Sequence, residues 1–170
     1  MRAGRLAVVS VTVLIALVLQ ASLLPPFSWR GIVPDLCLLV VVAAGLAKDA
    51  RFAMLVGFGT GLLLDLAPPA DHAAGRWALA LVLVGFVAGS ARQDQPPARS
   101  SLAAIIGVCS VVGGSVFALT GLLLGESTLG VTGSLGVVLV AAVLDVVVGL
   151  LVVPPLVRLF DRADPVPVAA

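Results

Sequence analysis

Residues 131–156 read VTGSLGVVLVAAVLDVVVGLLVVPPL, 26 positions of which only Asp145 carries a charge. A helix needs about 20 apolar residues to cross a hydrocarbon core about 30 Å thick, so this stretch is long enough by itself. It carries no amphipathic stripe, as expected of a helix with apolar surroundings on every side. Working outward, the pattern repeats. No acid or base lies between Arg5 and Arg30, between Arg76 and Arg92, or between Arg99 and Glu126, and only Asp35 interrupts the run from Arg30 to Lys48. Six segments result, near 6–24, 32–47, 52–66, 77–91, 102–124 and 131–156. The expectation is an all-α integral membrane protein, a polytopic bundle of about six transmembrane helices. It forms a single membrane domain over residues 1–170 with no extramembrane domain.

Composition excludes the main alternatives. Of the 170 residues, 61% are hydrophobic before the 18 glycines are counted, 11% are charged, and the mean hydropathy is +1.21. Soluble domains have about 45–50% apolar residues with glycine included, and about 25% charged. Nine acids and ten bases cannot cover so much apolar surface. Disorder would require the opposite balance, and a net charge of +1 gives no electrostatic footprint for nucleic acid.

The rare charges set an orientation. With the N-terminus inside, eight basic residues (Arg2, Arg5, Lys48, Arg51, Arg92, Arg99, Arg158 and Arg162) face the cytoplasm, against Arg30 and Arg76 outside. This is the asymmetry of the positive-inside rule, and it places both termini in the cytoplasm. Segments 52–66 and 77–91 hold 15 residues each, about 22 Å of helix. They must borrow length from flanking residues such as Arg51 and Arg76, whose stems can snorkel, or else form a re-entrant hairpin. Six spans is the preferred reading. Arg2 and Arg5 before an apolar run have the outline of a signal peptide. However, the run is long, the Ala21 region lacks a clean small-x-small site, and more spans follow.

Proline pairs at 25–26, 68–69 and 96–97 fall in connections, whereas Pro154-Pro155 should kink or end the last segment. Gly57-x-x-x-Gly61, Gly85-x-x-x-Gly89 and Gly121-x-x-x-Gly125 are small-x-x-x-small patterns that let helix backbones approach closely. Ala43-x-x-x-Ala47 and Ser110-x-x-x-Gly114 do so less strongly. Cys37 and Cys109 read as small packing residues within apolar segments.

Asp65 and Asp145 are the most informative positions. A carboxylate at mid-helix depth costs about 2.5–3.5 kcal/mol on insertion scales. Helical spacing puts Gly57, Gly61 and Asp65 on one face and Ala141, Asp145 and Gly149 on another, so both acids should face protein. Each either accepts hydrogen bonds from a neighbouring helix end or a Ser/Thr, or binds a partner or ligand. Asp35, after Pro34, fits a helix first turn, where an acid complements the positive terminus. Trp29 and Trp77 fit interfacial anchors on the outer side. Asp71, His72, Gly75 and Arg76 lie in the outer loop, with Asp71, His72 and Arg76 forming a dense polar cluster there.

Enzymatic motifs are sparse. One histidine cannot build a histidine-rich metal site, and no Cys or acid cluster has ligand spacing. There is no Walker loop. Gly130-Val131-Thr132-Gly133-Ser134 matches a Gly-x-Ser-Gly intramembrane protease motif only with a one-residue shift, and His72 lies in a loop. No catalytic, cofactor-binding or metal-ligating residue is assigned.

Pro34-Asp35-Leu36, the apolar run to Lys48 and Arg51, and Gly57-Phe58-Gly59-Thr60-Gly61-Leu62-Leu63-Leu64-Asp65-Leu66 together carry a resemblance. With Pro68-Pro69-Ala70-Asp71-His72, Gly75-Arg76-Trp77 and Gly85-Phe86-Val87-Ala88-Gly89, the chain resembles the rod shape-determining protein MreD family, best over residues 34–90. Beyond Arg99 the resemblance rests on segment count, length and the spacing from Asp145 to Pro154-Pro155. It implies a non-enzymatic scaffold of the cell-elongation machinery in the bacterial cytoplasmic (inner) membrane, acting in rod shape and peptidoglycan synthesis. The scaffold would dock MreC and link MreB to the wall synthases, RodA and its penicillin-binding transpeptidase. It also implies a fold similar to substrate-binding subunits of energy-coupling-factor transporters. The rival reading is such a subunit of a small-solute, vitamin-type transporter, with Asp65, Asp71, His72 and Arg76 lining an outward-facing pocket.

Overall fold

The computed structural model describes residues 3–24, 26, 32–67, 73–93, 95–126 and 130–163. Among these residues there are six α-helices and no β-strand: α1 (Ala3–Ser22), α2 (Leu36–Ala47), α3 (Ala50–Leu66), α4 (Arg76–Ser90), α5 (Arg99–Leu123) and α6 (Val131–Arg162). Three of them, α1, α5 and α6, are long and apolar enough to cross a membrane. At 1.5 Å per residue α2, α3 and α4 reach only about 18, 26 and 22 Å. The shortest helix is therefore α2, not one of the two 15-residue runs.

Local chemistry explains where the boundaries depart from the apolar runs. The run from 32 predicts a helix that in fact begins at Leu36. Pro34 biases Val33 toward extended backbone, and Asp35 is the N-cap, its carboxylate accepting from Leu38 N at 2.9 Å. Asp49 caps α3 in the same way, through Phe52 N at 2.9 Å. The largest departure is α6, which neither ends at 156 nor stops at Pro154-Pro155 but continues to Arg162. The two prolines remove the N–H groups that would bond the carbonyls of Leu150 and Leu151. Tertiary contacts carry the helix past that loss. Val153 and Phe160 are fully buried, Leu156 and Val157 pack on the core, and Asp161 lies 3.6 Å from Lys48 at the end of α2.

The helix at the centre is α2. Ten of its twelve residues are buried, and it packs against all five other helices. Successive helices alternate in direction. Arg5 near the start of α1 stacks over Phe52 near the start of α3, 4.5 Å from the ring centroid. Ala47 ending α2, Ala91 after α4, Leu102 opening α5 and Val157 late in α6 line one cleft. Outward faces are apolar. Val11, Leu14, Ile15 and Val18 on α1, Leu55 and Phe58 on α3, and Val143, Val147 and Leu151 on α6 are all exposed. A soluble protein rarely presents contiguous apolar surface of this kind.

The tightest packing joins α3 to α4 through glycine. A Cβ at Gly57 would strike the Leu81 carbonyl, and one at Gly61 the backbone of Ala78. From the other side, Gly85 meets the Ala53 carbonyl and Gly89 the backbone of Ala50. Both small-x-x-x-small patterns thus fall on one antiparallel seam, where missing side chains let two backbones touch.

Candidate functional site

Two buried carboxylates organise the polar interior, and each closes the N-terminus of another helix. Helix N-termini leave N–H groups without intrahelical partners, and an acid there also meets the positive end of the helix dipole.

The first junction gathers four helices. Asp145, in the middle of α6 and 1% exposed, accepts from Asp35 N at 2.6 Å through Oδ1 and from the Ser110 hydroxyl of α5 at 2.5 Å through Oδ2. Asp35 itself caps Leu38 N. From α1, the Gln20 Oε1 accepts from Cys37 N at 3.1 Å, and Gln20 also hydrogen-bonds to the Asp35 carboxylate. The opening turn of α2 is thus satisfied by Asp35 itself, by Gln20 from α1 and by Asp145 from α6, and Ser110 of α5 holds the Asp145 carboxylate in place. Ala142 and Gly149 flank Asp145 on the buried face of α6. A Cβ at Gly149 would press on Ile106 and Leu39, so this glycine admits neighbouring side chains rather than a backbone.

The second junction is local. Asp65, one residue before the end of α3 and 3% exposed, accepts from Gly75 N at 2.8 Å, Trp77 N at 3.1 Å and Ala78 N at 3.1 Å. Gly75 is the N-cap of α4 and has φ +99°, a left-handed conformation that a side chain would disfavour. A glycine has no side chain with which to cap, and Asp65 does that work from the preceding helix. Asp65, Gly61 and Gly57 therefore form one face, with backbone contact along it and a carboxylate at its end.

Arg76 has a different place from the one its loop position suggests. It is the first residue of α4, is 9% exposed, and points inward rather than out to the interface. Its guanidinium lies 4.0 Å over the Phe117 ring, donates to the Phe117 carbonyl at 2.7 Å, and pairs with Glu126 at 2.7 Å. Trp77 stacks on the same Phe117, with ring centroids 4.3 Å apart. Space for the guanidinium exists because position 121 is glycine. The chain then closes α5 with a Schellman turn. Gly125 takes φ +71°, Gly125 N donates to Leu122 O at 3.2 Å, and Glu126 N donates to Gly121 O at 2.9 Å. That turn aims Glu126 back at Arg76 and at Ala73 N, 3.0 Å away. Gly121-x-x-x-Gly125 is thus an arginine slot and a helix stop, not a helix–helix contact.

Asp71 and His72 lie outside the described residues, as does Trp29. Of the outer-loop cluster, the described part is Gly75 and Arg76, and both are engaged by neighbouring helices. The sequence reading missed Gln20, Phe117 and Glu126, and it named Ser110 only in a small-residue pattern, not as the partner of Asp145. Only Glu126, the lone acid between Arg99 and Asp145, stood out as a signal for Arg76. Cys37 and Cys109 are both free and buried. Ser134 sits in the first turn of α6, its N–H bonded to Gly130 O. Among the described residues no group of three His, Cys, Asp or Glu side chains could hold a metal ion.

No protein-family model matches the chain, and neither the curated proteins nor the solved structures contain a significant match to it.

Proposed function

We propose that the chain is a non-enzymatic scaffold of the bacterial cytoplasmic membrane, part of the cell-elongation machinery that makes peptidoglycan in rod-shaped cells. In this reading it docks MreC and links MreB to RodA and its penicillin-binding transpeptidase. The named partners rest on the resemblance of residues 34–90 to the MreD family. The scaffold character rests on one structural observation. Of the five buried polar residues among those described, Asp65, Asp145, Ser110 and Arg76 are engaged in polar contacts between helices and Thr60 is not, while α1, α3 and α6 turn large apolar side chains outward. Such a molecule offers helix faces to other membrane helices. Arg76, one of the four residues the transporter reading places in an outward-facing pocket, is turned onto Phe117 instead.

The reading also takes all six helices as spans, with both termini in the cytoplasm. The alternation of helix direction supports it, as does the gathering of Arg5, Lys48, Arg92 and Arg158 toward one end. The short α2, α3 and α4 then reach the interfaces through their flanking residues. A His72→Cys variant tests the topology, since Cys37 and Cys109 are buried. A membrane-impermeant thiol reagent added outside the cell should label it, and failure to label counts against six spans. For the partners, mild solubilisation from the host should recover MreC with the protein. Recovery without any elongation protein in several detergents overturns the scaffold reading.

A further inference from the structure

At the end of the bundle where α2 and α4 finish and α5 begins, a cleft of about 280 Å³ opens against α6. Its floor is apolar, built from Leu102, Val153 and Val157, and its rim carries the exposed guanidinium groups of Arg92 and Arg158. Among the described residues neither guanidinium makes an ion pair or a hydrogen bond. Asp161 also lines the cleft, but its charge is matched by Lys48 at 3.6 Å. Nearby, α5 starts without a side-chain cap at Ala98, so the free N–H groups of its first turn add to the positive potential. By sequence this end of the chain holds eight cations against Asp49, Asp94, Asp161 and Asp164.

An apolar floor under a cationic rim is the complement of an amphiphile with an anionic head. We propose that this cleft binds an anionic phospholipid, its phosphate held between Arg92 and Arg158 and the start of one acyl chain laid over Val153 and Val157. The volume is slightly below the usual 300 Å³ minimum for small-molecule sites, so the cleft holds a headgroup and its first methylenes while the rest of the chain stays in the bilayer. Basic pockets between membrane helices on the cytoplasmic side recognise lipid phosphates in this way. The inference rests on the membrane-spanning reading above, but not on the identity of any protein partner.

The test is reconstitution of the full chain into bilayers of phosphatidylcholine with phosphatidylglycerol, followed by native mass spectrometry of the lipid retained after extraction. Wild-type protein should keep phosphatidylglycerol over phosphatidylcholine. The R92Q/R158Q pair should lose that preference by roughly ten-fold or more, while R51Q/R99Q, which removes the same charge from residues that do not line the cleft, should keep it. Equal retention of phosphatidylglycerol by R92Q/R158Q and wild type overturns the proposal, as does equal loss in both double variants. Stabilisation by soluble polyglutamate but not by phosphatidylglycerol assigns the cleft to an acidic protein segment and also overturns it. The two readings fail separately. Lost lipid preference with MreC still recovered leaves the scaffold standing, and the converse leaves the lipid site standing.

Discussion

Asp65 and Asp145 are the same residue in the same kind of place, a buried carboxylate at the N-terminus of another helix, yet they do opposite work in the chain. Asp65 accepts from Gly75, Trp77 and Ala78, ten to thirteen residues away, and ties α3 to the helix that follows it. Asp145 accepts from a backbone N–H 110 residues away and a hydroxyl 35 residues away. One acid completes a hairpin and the other completes the fold. The difference lies in what surrounds each. Along α3 and α4, bare backbone meets bare backbone at Gly57, Gly61, Gly85 and Gly89, so the hairpin has a close-packed seam in addition to its acid. Around α2, side chains from α1, α5 and α6 meet at one buried turn, and the acid is what joins them.

Five substitutions at four positions can break or sharpen that contrast. The largest effect is expected from Asp145→Ala. It leaves the Asp35 N–H and the Ser110 hydroxyl without an acceptor at about 1–3 kcal/mol each, and should lower thermal stability in mild detergent by about 3 kcal/mol or more. Asp145→Asn keeps an acceptor and should recover most of the loss. Equal damage from both would mean that the charge, not the acceptor, holds the junction. Gly61→Ala comes next, at about 2 kcal/mol, because its methyl meets the Ala78 backbone, which cannot yield as a side chain can. Asp65→Ala should cost about 1–2 kcal/mol, the scale of a lost helix cap. Its signature should be local, with faster amide exchange at 75–79 and unchanged protection at 37–41. Asp145→Ala should show the reverse order of protection. Gly59→Ala is the smallest effect and has the opposite sign. Nothing lies within 4 Å of its new methyl, so helix propensity should stabilise the protein by up to about 1 kcal/mol. A loss at Gly59 as large as at Gly61 would deny that one face of α3 is a seam and the other a free surface.

What could be read in advance follows the range of each interaction. The long apolar helices were legible from the spacing of charges, and the α3 face from Gly57, Gly61 and Asp65 standing four residues apart. The cap at Asp35 was legible from Pro34 before it. The partners of Asp145 were not, because one of them is a backbone N–H, which every non-proline residue carries and no sequence pattern marks. Arg76 was misplaced because its inward turn depends on Glu126, and Glu126 reaches it only through the left-handed Gly125. The continuation of α6 through Pro154-Pro155 was hidden for a related reason. Proline reports the lost hydrogen bonds locally, while the contacts of Val153 and Phe160 that outweigh them come from elsewhere in the chain.

The dependence of α2 on Asp145 also has a meaning in time. At about 5–20 residues per second of synthesis, the ribosome needs on the order of 5–20 s to travel from Asp35 to Asp145. During that interval Asp35 N, at the head of the central helix, lacks its acceptor, and the hairpin of α3 and α4 is made while the junction beside it is still unfinished. Assembly of this protein therefore closes from the end of the chain back onto its beginning. A nascent chain stalled before Asp145 would present to the quality-control machinery a central helix held by α1, α3 and α4 but still without the acceptor for Asp35 N and without its packing against α6.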